Sequence, residues 1–566
     1  MSNFIGTLRH NIDGGNKIQL IWCGAILLTM LMLAILHHKW RFYEKKLKKW
    51  QDLCFIPLLI TIVHYLIYVR GASLLNVYTP LYLIAVLALL LMPLANMRKG
   101  YRIVGSVAGV LTLVFGIFFC VIPKNTHNLA RKSYSESFHA LAQEMDRSYV
   151  LKEWKDVDFS ALENKYMPMV KEAEQEKDPA KFADAVEMFC NELHDGHIQV
   201  KYDYDTEKYR SVFELREYGL AMIGLDSGEV IAVCTTDEVN RLGIEDGTVI
   251  TKWNGKPVQQ AAAEDVLDRG EPVKANADKV SAMYLSGTGG DTVEVSFLDK
   301  SGKEQTAELH DLGENHTFVE AYDAFTQIQK TEQQNFSTKM LNDKCGYIVM
   351  NAQTSGGPRD LVSDFSSRSD YMKKIFREKL SSLKEQGMEY LVVDLRDNMG
   401  GCDAPTVSFC ELLTNEKYFT HGLGVYRSGE YICTAERYIR GTGEFADLKV
   451  VVLTNLECIS GGDAASLYLS KLPNVTLAGI TDPSGSGQET GGCCVLSDSV
   501  VGVMYPTGLL LGEDGVPYID TKSDRISRDP VEVRIPFDYD AAMKIFRDGQ
   551  DYELEWAVSY LSSHAE

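Results

Sequence analysis

Ser460 lies where a hydrophobic run meets an amphipathic helix pattern, in "LTNLECISGGDAASLYLSKLPN", residues 453–474, with Gly461 and Gly462 directly behind it. A serine at such a joint has two chemistries open to it. Its hydroxyl can cap the helix by accepting a bond from a first-turn amide. Alternatively it can serve as a nucleophile, presented at a helix N-terminus whose dipole stabilises negative charge. A second glycine-rich turn, "DNMGG", ends at Gly400 and Gly401. Glycine there lets the backbone approach a reacting carbonyl closely enough for amides to act as oxyanion donors. Upstream, "ELHDGHIQV" holds two imidazoles, His194 and His197. Their spacing of three suits a metal, but Asp195-Gly196 between them favours a turn and no third ligand stands out.

The elements that must position these groups alternate. "CGYIVMN" reads as a strand, Ser367 to Gln386 as a helix, "MEYLVVDLR" as a strand, Ala404 to Leu413 as a helix, "LKVVVLTN" as a strand and Gly462 to Leu472 as a helix. Such βα units build a mainly parallel sheet whose ligands lie beyond the carboxyl ends of its strands. Both glycine-rich turns fall at those ends. Upstream, Ser133 to Met188 carries apolar residues at helical spacing, and from Tyr218 the pattern becomes strand-like through "VNRLGIEDGTVITKWNGKPV" and "GTGGDTVEVSFLDKSGKEQTAEL".

Before residue 124 the chain holds four long apolar runs, Ile18 to Leu36, Leu53 to Val69, Leu74 to Leu94 and Ile103 to Ile122. Each approaches the ~20 residues that cross a hydrocarbon core, which predicts four transmembrane helices. Basic residues cluster in two of the connecting loops, Lys39 to Lys49 and Arg98 to Arg102, so the positive-inside bias puts the N-terminus and the large following region outside the cytoplasm. Residues 1–123 carry a net +9 and the remainder −30. Phosphates would be repelled by a region this acidic, which excludes nucleic acid as a partner. Nine cysteines beyond the apolar runs, without regular spacing, leave disulfides open.

"LVVDLRDNMGG" resembles the "lviDLRxNxGG" signature of the C-terminal processing, or tail-specific, serine peptidases and their tricorn-core relatives, matching at Asp394, Leu395, Arg396, Asn398, Gly400 and Gly401. "VVLTNLECISGGD" is similar to the family's "vLvNxxxxSAxE", with Asp463 where the family often has Glu, and "ELHDGHIQV" resembles its "L.D.Ht" element through Leu193, Asp195 and His197. "GIEDGTVITKWNGKPV" resembles a PDZ module, which takes peptides as an added strand. The resemblance implies Ser460 as nucleophile, with Gly461 and the Gly400-Gly401 turn as the oxyanion hole. The lysine of the family's Ser-Lys members has no counterpart in "AGITDPSGSGQETGG", and Lys471 lies only eleven residues after Ser460. The tricorn-like branch implies His197 as base, with Gly196 at the place of an auxiliary serine. Asp520 falls at the position of the orienting acid, with Glu513 and Asp514 as rivals.

The expected organisation is multi-domain: an all-α bundle of four transmembrane helices over 1–124, a helical N-terminal region of the peptidase unit over 125–205, a small β-rich PDZ-like domain over 206–310, and an α/β peptidase core over 311–566. That core is parallel-sheet and crotonase-like, as the family implies. The expected function is that of a serine endopeptidase held in the plasma membrane with its catalytic domain outside, hydrolysing peptide bonds through an acyl-enzyme on Ser460. Its expected partners are a peptide or protein substrate and membrane lipids, with no cofactor and no metal. The alternative is a catalytically inactive peptide-binding or sensory protein built on the same folds.

Overall fold

The computed structural model describes residues 55–65, 83, 86–87, 107, 125–202, 215–269, 277–313, 316–326, 335–354, 370–427, 429–520 and 531–564. Before residue 125 the described helix is Phe55–His64, ten residues long. Among the described residues no helix is long and apolar enough to cross a membrane. This corrects the four-helix transmembrane bundle and the integral-membrane location expected from the apolar runs, most of whose residues lie outside the described ones.

Six strands form the central sheet in the order Val533–Arg534, Val475–Gly479, Lys449–Leu453, Tyr390–Asp394, Cys345–Val349 and Thr338–Met340. All neighbours run parallel except the last pair, which is antiparallel. Successive side chains on a strand face opposite sides, and both sides are buried. Leu391, Val393, Val450 and Val452 pack with Phe376, Leu380, Val407 and Tyr468 on one face. Val392, Val451 and Leu453 pack with Phe325, Ala541, Ile545 and Leu561 on the other. Continuous apolar strands are what a sheet covered on both sides requires. The helices Asp370–Glu385, Ala404–Leu413 and Gly461–Ser470 follow the first three of these parallel strands in chain order.

A second sheet joins the two ends of the described region. Its order is Asn125–Asn128, Glu489–Val495, Val501–Leu511, Lys417–Arg427 and Glu430–Arg440, with Gln199–Tyr202 pairing onto Val501–Leu511. That last pairing is antiparallel, Met504 against Gln199 through Val501 against Tyr202, and it brings the segment containing His197 to the peptidase strands. Three helices cover this sheet: Tyr134–Ser148, Phe159–Glu176 and Pro179–Asn191. Each starts at a side-chain cap, Ser133, Asp158 and Asp178, that satisfies a first-turn amide. Phe138, Leu141, Met145 and Phe189 then bury against Val501, Val503, Tyr505 and Leu509.

The described residues between 221 and 310 fold around a third sheet, Ala221–Gly224, Val230–Val233, Val249–Trp253, Thr292–Leu298 and Glu304–His310, with Lys256–Pro257 paired to the middle strand. Tyr218, Trp253, Val295 and Phe297 fill its own core.

Candidate active site

The strand Lys449–Leu453 ends at the sheet's carboxyl edge, and after seven intervening residues the helix Gly461–Ser470 begins. Ser460 sits between them with φ 62° and ψ −119°, and its side chain does not cap the helix. A non-glycine residue in such a conformation costs about 1–3 kcal/mol and persists only where its surroundings hold it. Three contacts hold it here. The Ser460 amide donates to the Ser486 carbonyl at 3.1 Å, its own carbonyl accepts from Ala464 N at 3.1 Å, and Ile459 N donates to Asn398 O at 3.0 Å.

The two glycine turns interlock at van der Waals limits. A Cβ on Gly461 would stand 2.6 Å from Gly401 O, and one on Gly462 2.5 Å from Asn398 O. Asn398 organises the first turn by donating to Met350 O at 2.6 Å and accepting from the Gly400 amide at 2.9 Å. The Gly400 amide is thereby occupied. The amides of Gly401 and Gly461 have no acceptor among the described residues, and both glycines line the cavity that Ser460 opens onto. That cavity is about 390 Å³, with Leu423, Ala464 and Leu510 on its walls beside the polar Gln353, Arg437 and Gln488.

Behind the turn, Arg396 is buried and donates to Asp394, Asp551 and Glu553 at 2.7–3.2 Å, which ties the strand end to the C-terminal helix Tyr552–Ser563. Burial pushes the Glu553 carboxyl up to about 7, although Arg396 opposes this. Asn455 accepts from the amides of Asp397 and Glu457 and donates to Thr326 O. Asp463, in the first turn of the Ser460 helix, accepts from the amides of Gly485 (2.8 Å) and Ser486 (3.0 Å) and so fixes the loop facing the nucleophile.

His197 is 7 % exposed, with its amide on Asp195 Oδ1 at 2.9 Å and its Nδ1 at 2.6 Å from Ser486 Oγ. Ser486 therefore touches both expected partners, Ser460 through its carbonyl and His197 through its hydroxyl. His197 itself does not line the 390 Å³ cavity. Asp520 pairs its backbone with Ser486, but its carboxylate accepts from Lys155 Nζ at 3.1 Å and Trp154 Nε1 at 2.9 Å. Glu513 and Asp514 are exposed and line a separate cavity of about 750 Å³ together with Lys471. Lys471 donates to the carbonyls of Phe419 and Thr420 and lies over the Tyr518 ring, and burial brings its pKa down to about 8.

Two groups at the site were not singled out from sequence. One is Ser486, in a Gly/Ser loop without periodicity. The other is His421, fully buried, with Nδ1 at 2.5 Å from Tyr468 Oη and Nε2 at 3.5 Å from Asp403 Oδ2. Burial lowers the His421 pKa, and the residue pins the Ser460 helix, through Tyr468, to the cavity wall at Asp403. Phe419, His421, Leu423 and Val425, at every second position along Lys417–Arg427, are the sequence signal that would have marked its strand.

Residues 344–509 match peptidase family S41. A solved mutant of CPAF is similar over 76% of this chain and 98% of its own, at 12% identity and a TM-score of 0.51. Mature CPAF is similar over 75% and 96%, at 12% identity and a TM-score of 0.50. The photosystem II D1 C-terminal processing protease is similar over 74% and 98%, at 17% identity and a TM-score of 0.33. No curated protein matches the chain. The protein is a serine peptidase. The match to family S41 covers residues 344–509, and a peptidase of that family implies peptide or protein substrates.

Proposed function

We propose that Ser460 is the nucleophile of an endopeptidase that works through an acyl-enzyme. The observation that carries this reading is the conformation of Ser460: strained, released from capping, opening onto a cavity and flanked by the uncommitted amides of Gly401 and Gly461. The Ser460 oxygen attacks the peptide carbonyl while His197 takes its proton, and the two amides receive the oxyanion. Each such donor is worth about 2.7–4 kcal/mol in the transition state. The imidazolium then protonates the leaving amine, and water, deprotonated by the same imidazole, releases the acyl group. Gly400 contributes closeness instead of a donor, since Asn398 holds its amide. Asp520 acts at one remove, anchoring Lys155 and Trp154 beside the loop that carries His197.

In the same reading the chain divides at 125–205, 206–310 and 311–566. The first piece delivers His197 to the core, the second is a PDZ-like module that holds an extended peptide, and the third is the peptidase core. Hydrolysis of an unfolded protein substrate tests the proposal. Ser460→Ala should abolish cleavage while the far-ultraviolet dichroism stays unchanged. Undiminished cleavage by that variant would refute it.

A further inference from the structure

We propose that Ser486 is the positioning residue that fixes the tautomer of the His197 imidazole, a task that serine hydrolases commonly give to a carboxylate. This rests on the proposed role of His197 as the base.

A serine hydroxyl has one proton to give and two lone pairs to offer. Ser486 Oγ has three neighbours: His197 Nδ1 at 2.6 Å, Gln488 Oε1 at 2.8 Å and Asp195 Oδ1 at 3.5 Å. The Gln488 amide cannot be turned round, because its nitrogen donates to the Ile519 carbonyl at 2.9 Å and a carbonyl accepts only from a donor. Gln488 thus presents its oxygen to Ser486, and Asp195 presents a carboxylate oxygen. Both are acceptors. The single hydroxyl proton is drawn to that side, which leaves the Ser486 oxygen as an acceptor facing His197. The neutral imidazole must then carry its proton on Nδ1. Its lone pair is on Nε2, the form in which a histidine can accept a proton from a nucleophile.

The rest of the loop holds this relay in place. The Ser486 amide is bound by Asp463 Oδ2, the Ser486 carbonyl accepts from Ser460 N, and the backbone pairs with Asp520. One residue consequently fixes the backbone of the nucleophile and the proton of the base, across 289 residues of sequence. Asp195 holds the other end of the imidazole segment, with its Oδ1 on the His197 amide and its Oδ2 on Tyr149 Oη.

Two readouts on the full chain separate this inference from the function on which it rests. The first is the ¹⁵N spectrum of the histidine-labelled protein, with the His197 signals assigned by their loss in His197→Gln. Wild type should show the Nδ1–H tautomer, and Ser486→Ala should shift the ring towards the Nε2–H form. The second is kinetics. Ser486→Ala should lower kcat on the order of 100-fold, within the range for a general base, with KM within about twofold. Its acidic limb should move to lower pH, because the imidazolium loses an acceptor. Ser486→Thr, which keeps the hydroxyl, should restore both tautomer and kcat. An Nε2–H tautomer in wild type, or a Ser486→Ala enzyme with unchanged tautomer and kcat, would overturn the inference. A wild type that shows the Nδ1–H tautomer but no cleavage dependent on Ser460 would instead refute the proposed function and leave the relay standing.

Discussion

A Cβ on Gly400 would come 2.7 Å from the Cβ of Ser460. Real side chains do not approach so closely, so the lack of a side chain at Gly400 is what lets the "DNMGG" turn lie against the nucleophile. Gly400 also has φ +85°, where an L-residue is strained. Gly400→Ala should therefore displace the turn, destabilise the fold by about 1–3 kcal/mol and cut kcat at least tenfold. Urea unfolding and peptide cleavage measure the two effects.

Ser460 makes a distinct prediction about stability. Its hydroxyl caps nothing, so Ser460→Ala should lack the ~0.5–2 kcal/mol penalty of a lost helix cap. Ser460→Gly relieves the positive φ and should unfold at a higher temperature than either. Thermal unfolding of the three proteins settles the order, and a large loss in Ser460→Ala would restore the capping role.

The two rival bases differ in environment. His197 is joined to Ser460 through Ser486, whereas Lys471 lines another cavity and spends its ammonium on the carbonyls of Phe419 and Thr420. His197→Ala should lower kcat by about 10²–10⁴-fold, and Lys471→Ala should leave it within about twofold. Initial rates at saturating peptide give the comparison.

Asp520 and Lys155 form an ion pair whose side chains are 2% and 5% exposed. Removing one partner of a buried pair strands the other, at a cost of about 3–5 kcal/mol. Asp520→Asn should destabilise by an amount of that order, and adding Lys155→Met should recover much of it. Denaturant midpoints of the single and double variants check this, with activity compared only where each protein is folded.

Glu553 gives a pH dependence. Its folded-state pKa, raised by burial from 4.5 to about 7, means that the folded chain binds a proton more tightly than the unfolded chain between those values. The stability it contributes is full below pH 4.5 and is lost as pH rises through 7. Glu553→Gln should remove that slope, so its stability relative to wild type should increase from pH 5 to pH 8 in denaturant titrations.

What was legible in the sequence follows from what is local. The helix Ala404–Leu413 and the strands Cys345–Val349, Tyr390–Asp394 and Lys449–Leu453 form where apolar patterning placed them, because a doubly covered parallel sheet leaves continuous buried runs. The closeness of Ser460 to the "DNMGG" turn was also readable, since both lie at strand carboxyl ends. Ser486 was not, because its contacts are made across the fold from a loop with no period. Asp520 shows the limit of position without geometry: its backbone lies beside Ser486, while its carboxylate turns to Lys155. The apolar runs before residue 124 lie mostly outside the described residues, among which no helix is long and apolar enough to cross a membrane. The described helix there has ten residues.

The central claim is that Ser460 is a reactive nucleophile, and a fluorophosphonate adduct located by mass spectrometry tests it most directly. The account predicts one adduct, on the peptide containing Ser460, which disappears in Ser460→Ala and forms at least ~100-fold more slowly in His197→Ala. An unlabelled wild type, or an adduct on another serine that survives Ser460→Ala, would contradict it.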